Sequence, residues 1–284
     1  MTKNQSLISR HSKSFNWAGF FLSKETFNKC SVLYDFCRTV DDIADEKNVL
    51  EYKKKKLLKF KSDFRNKNFS NNIIKNIYQL LDGDNISYKI VEDLFNGIES
   101  DLREEVIIGT QKDLLIYSYR VAGTVGLMMA KILGVKDRYS LKCAIDLGIA
   151  MQLTNIARDV VEDKKRSRTY IDHDFNSIKK TISIAETFYD RSFLAIKSIP
   201  IISRFSIIVA RRVYRKIGSK ILMQKNLENY SNAGKIYVTN FGKIVETFLS
   251  FYDLLRLFFA SSKKNLKQNE YKMLDKEINL DERI

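Results

Sequence analysis

Apolar residues recur at three- and four-residue steps through most of the chain, which is the spacing of one face of an α-helix. One proline and eleven glycines among 284 residues leave few positions that would interrupt this pattern. The pattern therefore predicts an all-α protein. The predicted helices are Lys24–Asp45, Leu50–Arg65, Asn72–Leu81, Ser87–Asp101, Gln111–Leu133, Arg138–Asp163, Ser177–Ile199, Ile201–Met223 and Gly234–Ser261.

Nothing in the composition marks a domain boundary, because the chain has no Pro-rich or Gly/Ser-rich linker. We predict a single domain over 1–284, in which 262–284 is a polar tail that is either a loosely held helix or disordered. The three cysteines lie inside predicted helices, so a disulfide framework is not expected. Met1–Arg10 lacks the apolar core of a signal peptide, which favours a cytoplasmic protein.

The apolar stretches are too short to span a bilayer: Val121–Val135 falls below the roughly twenty residues that a crossing needs. Any membrane contact, including one with the inner face of the membrane, is expected to be peripheral. The net charge of +15 favours a polyanionic partner, which is a substrate, an anionic membrane surface or a nucleic acid. Nucleic acid is the weakest of these, because the charge comes without zinc-finger spacing or an RNA-binding signature.

A first polar stripe lies on the predicted helix Lys24–Asp45. Tyr34, Arg38, Asp41 and Asp45, with Asp42 beside them, follow steps of three and four and so share one helix face. Carboxylates this close repel one another, and inside a helix bundle they call for a cation.

A second stripe lies on the predicted helix Arg138–Asp163. Gln152, Asn155, Asp159 and Asp163 follow the pattern i, i+3, i+7, i+11, while the remaining face is apolar. Such a helix is typical of a cavity wall. Ligands that are all oxygens favour a hard cation such as Mg²⁺, which binds one or two carboxylates together with phosphates and water.

Arginines accompany both stripes, namely Arg38, Arg158, Arg166 and Arg168. Guanidinium groups at these positions would bind the remaining phosphate oxygens of a diphosphate. A lone Asp-Asp-x-x-Asp is a weak signal, and two stripes with adjacent arginines are a stronger one. Structural salt bridges between the acidic and basic residues are the alternative interpretation.

The segment Tyr117–Ala130 is apolar nearly all round and carries small residues at Ala122, Gly123 and Gly126. Glycine inside a helix costs about 1 kcal/mol relative to alanine, so its presence indicates close helix approach or room for a ligand. The spacing slightly favours a close-packed core helix over the wall of a tunnel.

At these motifs the chain resembles the squalene/phytoene synthase family, and most closely bacterial phytoene synthases. The resemblance runs from His11-Ser12-Lys13-Ser14-Phe15 through both acidic stripes and Arg120–Gly126. It continues in Asp146–Ala150 and in Val213–Gly218, so it covers about five-sixths of the chain.

The resemblance implies a helical isoprenoid synthase bundle with a central cavity. It also implies head-to-head condensation of two geranylgeranyl diphosphates to phytoene, through a cyclopropylcarbinyl diphosphate, in carotenoid biosynthesis. The implied cofactor is Mg²⁺, with Mn²⁺ as a substitute, and no NADPH is expected. Isoprenyl diphosphates are the expected partners, nucleic acid is not, and the protein is expected to be a monomer or a weak dimer.

The family pattern also assigns roles to individual residues. The implied metal ligands are Asp41, Asp42, Asp45, Asn155, Asp159 and Asp163. The implied catalytic residues are Tyr34, Arg38, Tyr117, Arg158 and Tyr170. The implied substrate-binding residues are His11, Ser14, Arg38, Val121, Ala122, Gly126, Gln152, Asn155, Arg168 and Tyr230. Phe36 is a further candidate for stabilising a carbocation, together with Tyr117 and Tyr170.

Two segments depart from the family pattern. Ile171 and Asp172 follow Tyr170 where bacterial phytoene synthases usually have Leu-Pro, and Lys235–Lys243 keeps only a trace of the usual basic and tyrosine-containing motif. A squalene or dehydrosqualene synthase that uses farnesyl diphosphate therefore remains an alternative. A non-catalytic family member acting as an assembly factor is less favoured, because all six metal-binding positions are present.

Overall fold

The computed structural model describes residues 13–260, 274 and 277–284, and it confirms the all-α fold. The helices are α1 Lys13–Gly19, α2 Lys24–Asp45, α3 Leu50–Arg65, α4 Asn72–Gly83, α5 Tyr88–Ser100, α6 Gln111–Ser118, α7 Thr124–Ile132, α8 Arg138–Lys164, α9 Phe175–Phe193, α10 Ile201–Leu222, α11 Leu227–Asn232 and α12 Asn240–Phe259. A π-helical turn, Tyr119–Gly123, joins α6 to α7, and 3₁₀ turns lie at Leu194–Ser198 and Leu280–Glu282. Two short strands, β1 Val106–Ile107 and β2 Arg168–Thr169, pair in parallel.

Side-chain caps fix where the main helices begin. The Ser23 hydroxyl accepts a hydrogen bond from the Thr26 N–H at the start of α2, and the Asp137 carboxylate accepts one from the Ser140 N–H at the start of α8. Asp174 caps α9 through the N–H groups of Asn176 and Ser177. Each cap satisfies an N–H group that has no partner inside its helix.

Helix α8 lies at the centre of the bundle. It packs against α9 and α10 on one side and against α7 and the π turn on the other. Its residues Ile145, Ile149 and Leu153 are fully buried. Helix α2 lies across from α8 and packs against α4 and α7, so the central cavity described below is walled by α2, α7 and α8.

Two glycines set the distance of α8 from α7 and from the π turn that precedes α7. A Cβ atom on Gly126 would overlap the carbonyl oxygen of Ala144, and one on Gly148 would overlap the carbonyl oxygen of Ala122. The two backbones are thus in direct contact, which confirms the interpretation that these small residues mark a close helix approach. Gly126 also lines the cavity, so both uses of the small residues apply.

The π turn is the main departure from the predicted helix Gln111–Leu133. The Thr124 N–H donates to the carbonyl oxygen of Tyr119, five residues back, so one extra residue is accommodated in this turn. The Tyr119 ring is fully buried, and its hydroxyl donates to Asp93 over 2.8 Å. Apolar periodicity does not reveal one extra residue within a helix, so the sequence predicted an unbroken α-helix here.

Other boundaries differ where polar caps intervene. The predicted helix Gly234–Ser261 begins only at Asn240, because the Thr239 side chain accepts a hydrogen bond from the Gly242 N–H. Helices α1 and α11 and both strands were not predicted, and all four elements are seven residues or shorter. Such short elements contain too few residues for a periodic signal.

The end of the predicted polar tail is packed onto the bundle. Ile278 and Leu280 are buried, and the Arg283 guanidinium donates to the Asp93 carboxylate over 2.9 Å. The prediction of a loosely held tail is therefore wrong for 277–284, while 261–273, 275 and 276 lie outside the described residues. Among the residues that the structure describes, no helix is long and apolar enough to cross a bilayer.

The close approach of α7 and α8 predicts the outcome of two glycine substitutions. Gly148→Ala should lower the free energy of unfolding by about 1–3 kcal/mol, because the new methyl group overlaps the Ala122 backbone. Gly83→Ala, with nothing within 4 Å of the added Cβ, should be neutral or slightly stabilising. Urea denaturation of both variants measures the difference, and equal effects would contradict the backbone contact.

Candidate active site

The two polar stripes face a shared cavity of about 900 Å³ in the centre of the bundle. This volume is near the top of the range of roughly 300–1,000 Å³ that is typical of ligand sites. The stripe residues that line it are Tyr34, Arg38, Asp41, Asp45, Gln152, Asn155, Asp159 and Asp163. The structure thus brings together side chains that are more than a hundred residues apart in sequence.

The cavity has a polar end and an apolar end. The second halves of α2 and α8 carry the charged stripes, whereas their first halves contribute residues such as Leu33 and Leu147. Val121, Ala122 and Gly126 continue the apolar wall from the π turn and α7. This division suits a ligand with a charged head and a long apolar tail.

Arginines neutralise the stripe on α2. Arg38 pairs with Asp41 at 3.0 Å and with Asp42 at 2.5 Å. Asp45 is bracketed by Arg166 and Arg168, each at 2.9 Å. Burial alone would raise the pKa of Asp45, but these two guanidinium groups outweigh it and hold the pKa below its usual value.

The stripe on α8 is only partly neutralised. Arg158 donates to the neighbouring Asp159 carboxylate over 2.8 Å, and the Lys235 ammonium lies 3.5 Å from the same carboxylate. The Asp163 carboxylate makes no hydrogen bond or ion pair with the described residues. Burial and then the negative charge of Asp159 raise the pKa of Asp163 to about 7. Near neutral pH, Asp163 therefore keeps a proton part of the time in place of a cationic partner.

A second polar group in the cavity has no hydrogen-bond partner among the described residues. The Oδ1 atom of Asn155 is buried without a hydrogen-bond partner, and such an atom normally has one. On the opposite wall, burial and then the nearby Asp45 raise the pKa of Asp41 to about 6. An unpaired amide oxygen and two carboxyl groups of raised pKa in the same cavity lining fit a hard cation that takes its remaining ligands from water and phosphate.

The carboxylates are not gathered around a single point. Among the described residues, no group of three acidic, histidine or cysteine side chains lies close enough to hold a metal ion as positioned. Salt bridging, the alternative interpretation from the sequence, accounts for Asp42, Asp45 and Asp159 in this arrangement. It leaves Asp163 and the Asn155 oxygen without partners in the described part of the chain.

Two stacked tyrosines line the same cavity as the stripes. The rings of Tyr117 and Tyr170 stack at 4.7 Å, and their hydroxyls are 3.0 Å apart. Both hydroxyls donate to the carboxylate of Asp101, over 2.8 Å from Tyr117 and 2.7 Å from Tyr170. Burial raises the pKa of Asp101 even though the Arg168 charge opposes the rise. This group of three side chains forms a rigid polar wall of the cavity.

Asp101 is a site residue that the sequence did not reveal. It caps the end of α5 in a run that also contains Glu99, Glu104 and Glu105, and nothing in that run distinguishes it. The β1–β2 ladder, also unpredicted, brings the chain after α8 alongside the chain after α5, with Val106 opposite Arg168. This pairing places Arg168 and Tyr170 next to Asp101.

The C-terminal part of the chain contributes basic groups to the polar end. Lys235, Tyr237 and Lys243 line the cavity, although this segment shows only a trace of the family motif. Lys235 lies 3.1 Å from Glu162 as well as near Asp159. The two lysines thus supply positive charge to the cavity wall, although only a trace of the usual family motif is present.

Some predicted site residues lie elsewhere. The Tyr230 hydroxyl donates to the carbonyl oxygens of Ala157 and Arg158 from behind α8, so Tyr230 supports that helix and does not line the cavity. Asp42 points to Arg38 and is not part of the lining either. Phe36 is fully buried in an aromatic cluster of the core. His11 and the side chain of Ser14 lie outside the described residues.

A helical bundle around a cavity with a charged end and an apolar end suits a prenyltransferase-type enzyme, and the relatives of the chain indicate the same class. The sequence profile described as "Squalene/phytoene synthase" matches residues 8–177, and the chain belongs to the squalene/phytoene synthase family.

Sequence and structure comparisons give similar relatives. The 15-cis-phytoene synthase of Pantoea ananas is 30% identical over 74% of this chain and 78% of its own length. That of Enterobacter agglomerans is also 30% identical, over 74% of this chain and 82% of its own. The crystal structure of a dehydrosqualene synthase in complex with ligand superposes with a TM-score of 0.70 at 25% identity, covering 88% of this chain and 95% of the other.

The charge imbalance predicts how stability depends on pH. Without divalent cations, the melting temperature should fall between about pH 5 and pH 8, because folded Asp41 and Asp163 retain protons that the unfolded chain has lost. The double variant Asp41→Asn, Asp163→Asn should show a shallower decline. Differential scanning fluorimetry in the presence of a chelator measures how the melting temperature of each protein changes with pH. Equal pH dependence of the wild type and the double variant would contradict the raised pKa values of Asp41 and Asp163.

Proposed function

We propose that this enzyme condenses two geranylgeranyl diphosphates head to head, through a cyclopropylcarbinyl diphosphate, to phytoene. The main support is one observation: two carboxylate stripes and their arginines meet at the polar end of a cavity that is otherwise apolar. Such a cavity fits a diphosphate head and an isoprenoid tail at the same time. The similarity to 15-cis-phytoene synthases supports the choice of the twenty-carbon substrate.

Departure of diphosphate requires that its developing charge be stabilised. Arg38, Arg158 and Arg168 are positioned to donate to its oxygens, and Gln152 and Tyr34 line the same end of the cavity. Bound Mg²⁺, or Mn²⁺ in its place, would supply further neutralisation of the diphosphate charge. The proposed ligands are the five predicted ones that line the cavity, which are Asp41, Asp45, Asn155, Asp159 and Asp163.

The carbon chemistry needs a dry and rigid pocket. The first ionisation gives an allylic cation, which the double bond of the second substrate attacks to form a cyclopropane with loss of a proton. A second ionisation, a rearrangement and loss of another proton give the conjugated triene. Val121, Ala122 and Gly126 exclude water from the tails, while the Tyr117 and Tyr170 rings present π faces that stabilise passing cations.

A dehydrosqualene synthase that uses farnesyl diphosphate is the second candidate, favoured by the structural similarity to an enzyme of that name. It would use the same residues at the polar end and a shorter part of the apolar cavity. Neither candidate requires NADPH. The two differ in the length of the tail that the cavity accepts, so substrate choice separates them.

Incubation with Mg²⁺ and geranylgeranyl diphosphate, without NADPH, followed by chromatography of the extract, tests the proposal. The wild type should form phytoene, and Asp41→Ala and Asp159→Ala should each lose at least about 100-fold in turnover, because diphosphate departure loses its electrostatic support. Glu104→Ala, which removes an exposed carboxylate outside the cavity, should retain activity. Turnover of farnesyl diphosphate alone would favour the thirty-carbon product, and no turnover of either would refute both candidates.

Two matched tyrosine variants test the polar wall. Tyr117 and Tyr119 are both buried, and each hydroxyl donates to an aspartate over 2.8 Å, but only Tyr117 lines the cavity. Tyr117→Phe should lower kcat by roughly 10- to 100-fold through loss of positioning. Tyr119→Phe should lower stability and leave kcat near that of the wild type. Equal effects of the two variants on kcat would assign both tyrosines to packing alone.

A further inference from the structure

Helix α12 is turned with its polar side inward. Its buried residues are Lys243, Glu246, Ser250, Asp253 and Leu257, which recur at steps of three and four. Large apolar residues occupy the opposite side and are 59–79% exposed. We define the apolar face by six of them, which are Phe241, Phe248, Tyr252, Leu255, Phe258 and Phe259. This arrangement is the reverse of a normal amphipathic surface helix.

Ion pairs to α10 hold α12 in this orientation. Arg212 donates to Glu246 over 3.0 Å and to Asp253 over 2.6 Å, and both carboxylates are buried. Rotating the helix to bury its apolar face would break both pairs and leave the largely buried Arg212 guanidinium without its two carboxylates, which is costly. The outward position of the apolar face is therefore fixed by the packing of the bundle.

The apolar face lies next to the cavity. Tyr237, just before α12, lines the cavity and is also 65% exposed. The Trp17 indole donates to the Thr247 hydroxyl over 3.0 Å and so ties α1 to α12. Gly19 and Leu22 line the cavity on either side of Phe20, which is 75% exposed. Exposed apolar side chains thus continue from the cavity wall onto the surface.

Cationic groups border the other end of the face. The Lys197 ammonium donates to the carbonyl oxygen of Ala260 over 3.2 Å, which places an exposed lysine beside Phe258 and Phe259. The Arg256 side chain is 57% exposed on α12 itself. Apolar residues flanked by cations are typical of helices that lie in the interface of an anionic membrane.

We propose that the apolar face of α12 docks onto the surface of an anionic lipid bilayer, with the helix lying in the plane of the interface. The net charge of +15 complements anionic headgroups and opposes face-to-face pairing of two copies. The benefit to catalysis rests on the proposed function, because an apolar hydrocarbon leaving the cavity beside Tyr237 would enter the bilayer without crossing water.

Vesicle flotation of the purified full chain, without substrate, tests the docking surface. The vesicles are phosphatidylcholine alone or phosphatidylcholine with about 30% phosphatidylglycerol, a composition that supplies anionic headgroups. The face variant is Phe248→Ser, Tyr252→Ser, Leu255→Ser. The matched control is Val49→Ser, Tyr52→Ser, Leu58→Ser, since these residues are also exposed, by 69%, 48% and 58%, but lie on or next to α3.

We expect the wild type and the control variant to float with anionic vesicles and to bind neutral vesicles at least about tenfold more weakly. The face variant should lose at least about tenfold in binding, because three apolar side chains no longer enter the interface. Undiminished binding of the face variant would overturn the proposal, as would equal binding to neutral vesicles. A wild-type dimer that the face variant converts to a monomer would assign the face to a second copy instead.

Activity is measured separately in detergent micelles, where docking is not needed. The face variant should retain the wild-type rate there, because none of its three residues lines the cavity. Vesicle binding without hydrocarbon formation would refute the proposed function and leave the docking surface standing. Hydrocarbon formation without vesicle binding would do the reverse.

Discussion

Charge balance around the central cavity is the constraint on which the rest of the structure depends. Carboxylates from α2 and α8 face one another in a partly buried space, and such groups are costly unless they are paired. Arg38, Arg158 and Arg168 supply part of the compensation from within the protein. The unpaired Asn155 oxygen and the raised pKa of Asp163 show that compensation is incomplete among the described residues. The proposed metal site rests on this incomplete compensation.

The helices meet this constraint through close backbone packing. Gly126 and Gly148 let α8 touch α7 and the π turn that precedes it, and both glycines also line the cavity. The π turn that precedes α7 adds one residue and ends where Gly123 packs near Ile145. The short β1–β2 ladder then fixes Arg168 beside Asp45 and Asp101. The π turn and the β1–β2 ladder, which interrupt the regular helices, thus help to position the residues of the site.

The sequence predicted the long elements and the two stripes well, for a physical reason. Helical periodicity repeats over 22 residues in α2 and 27 in α8, so both the helices and the shared face of Asp41 and Asp45 could be read from it. Asp101 reaches the cavity only through tertiary packing, which leaves no local signal. The same holds for the inward polar side of α12, because periodicity marks two faces of a helix without saying which one is buried.

The direction of α2 and α8 carries a further consequence. Asp45 is the last residue of α2 and Asp163 lies one residue before the end of α8, so both helices end at the polar end of the cavity. The backbone dipoles of a helix place about half a negative charge at its carboxyl end. The peptide backbone therefore adds to the negative potential of the carboxylates. A bare diphosphate would meet repulsion from both, and an anion accompanied by cations would not.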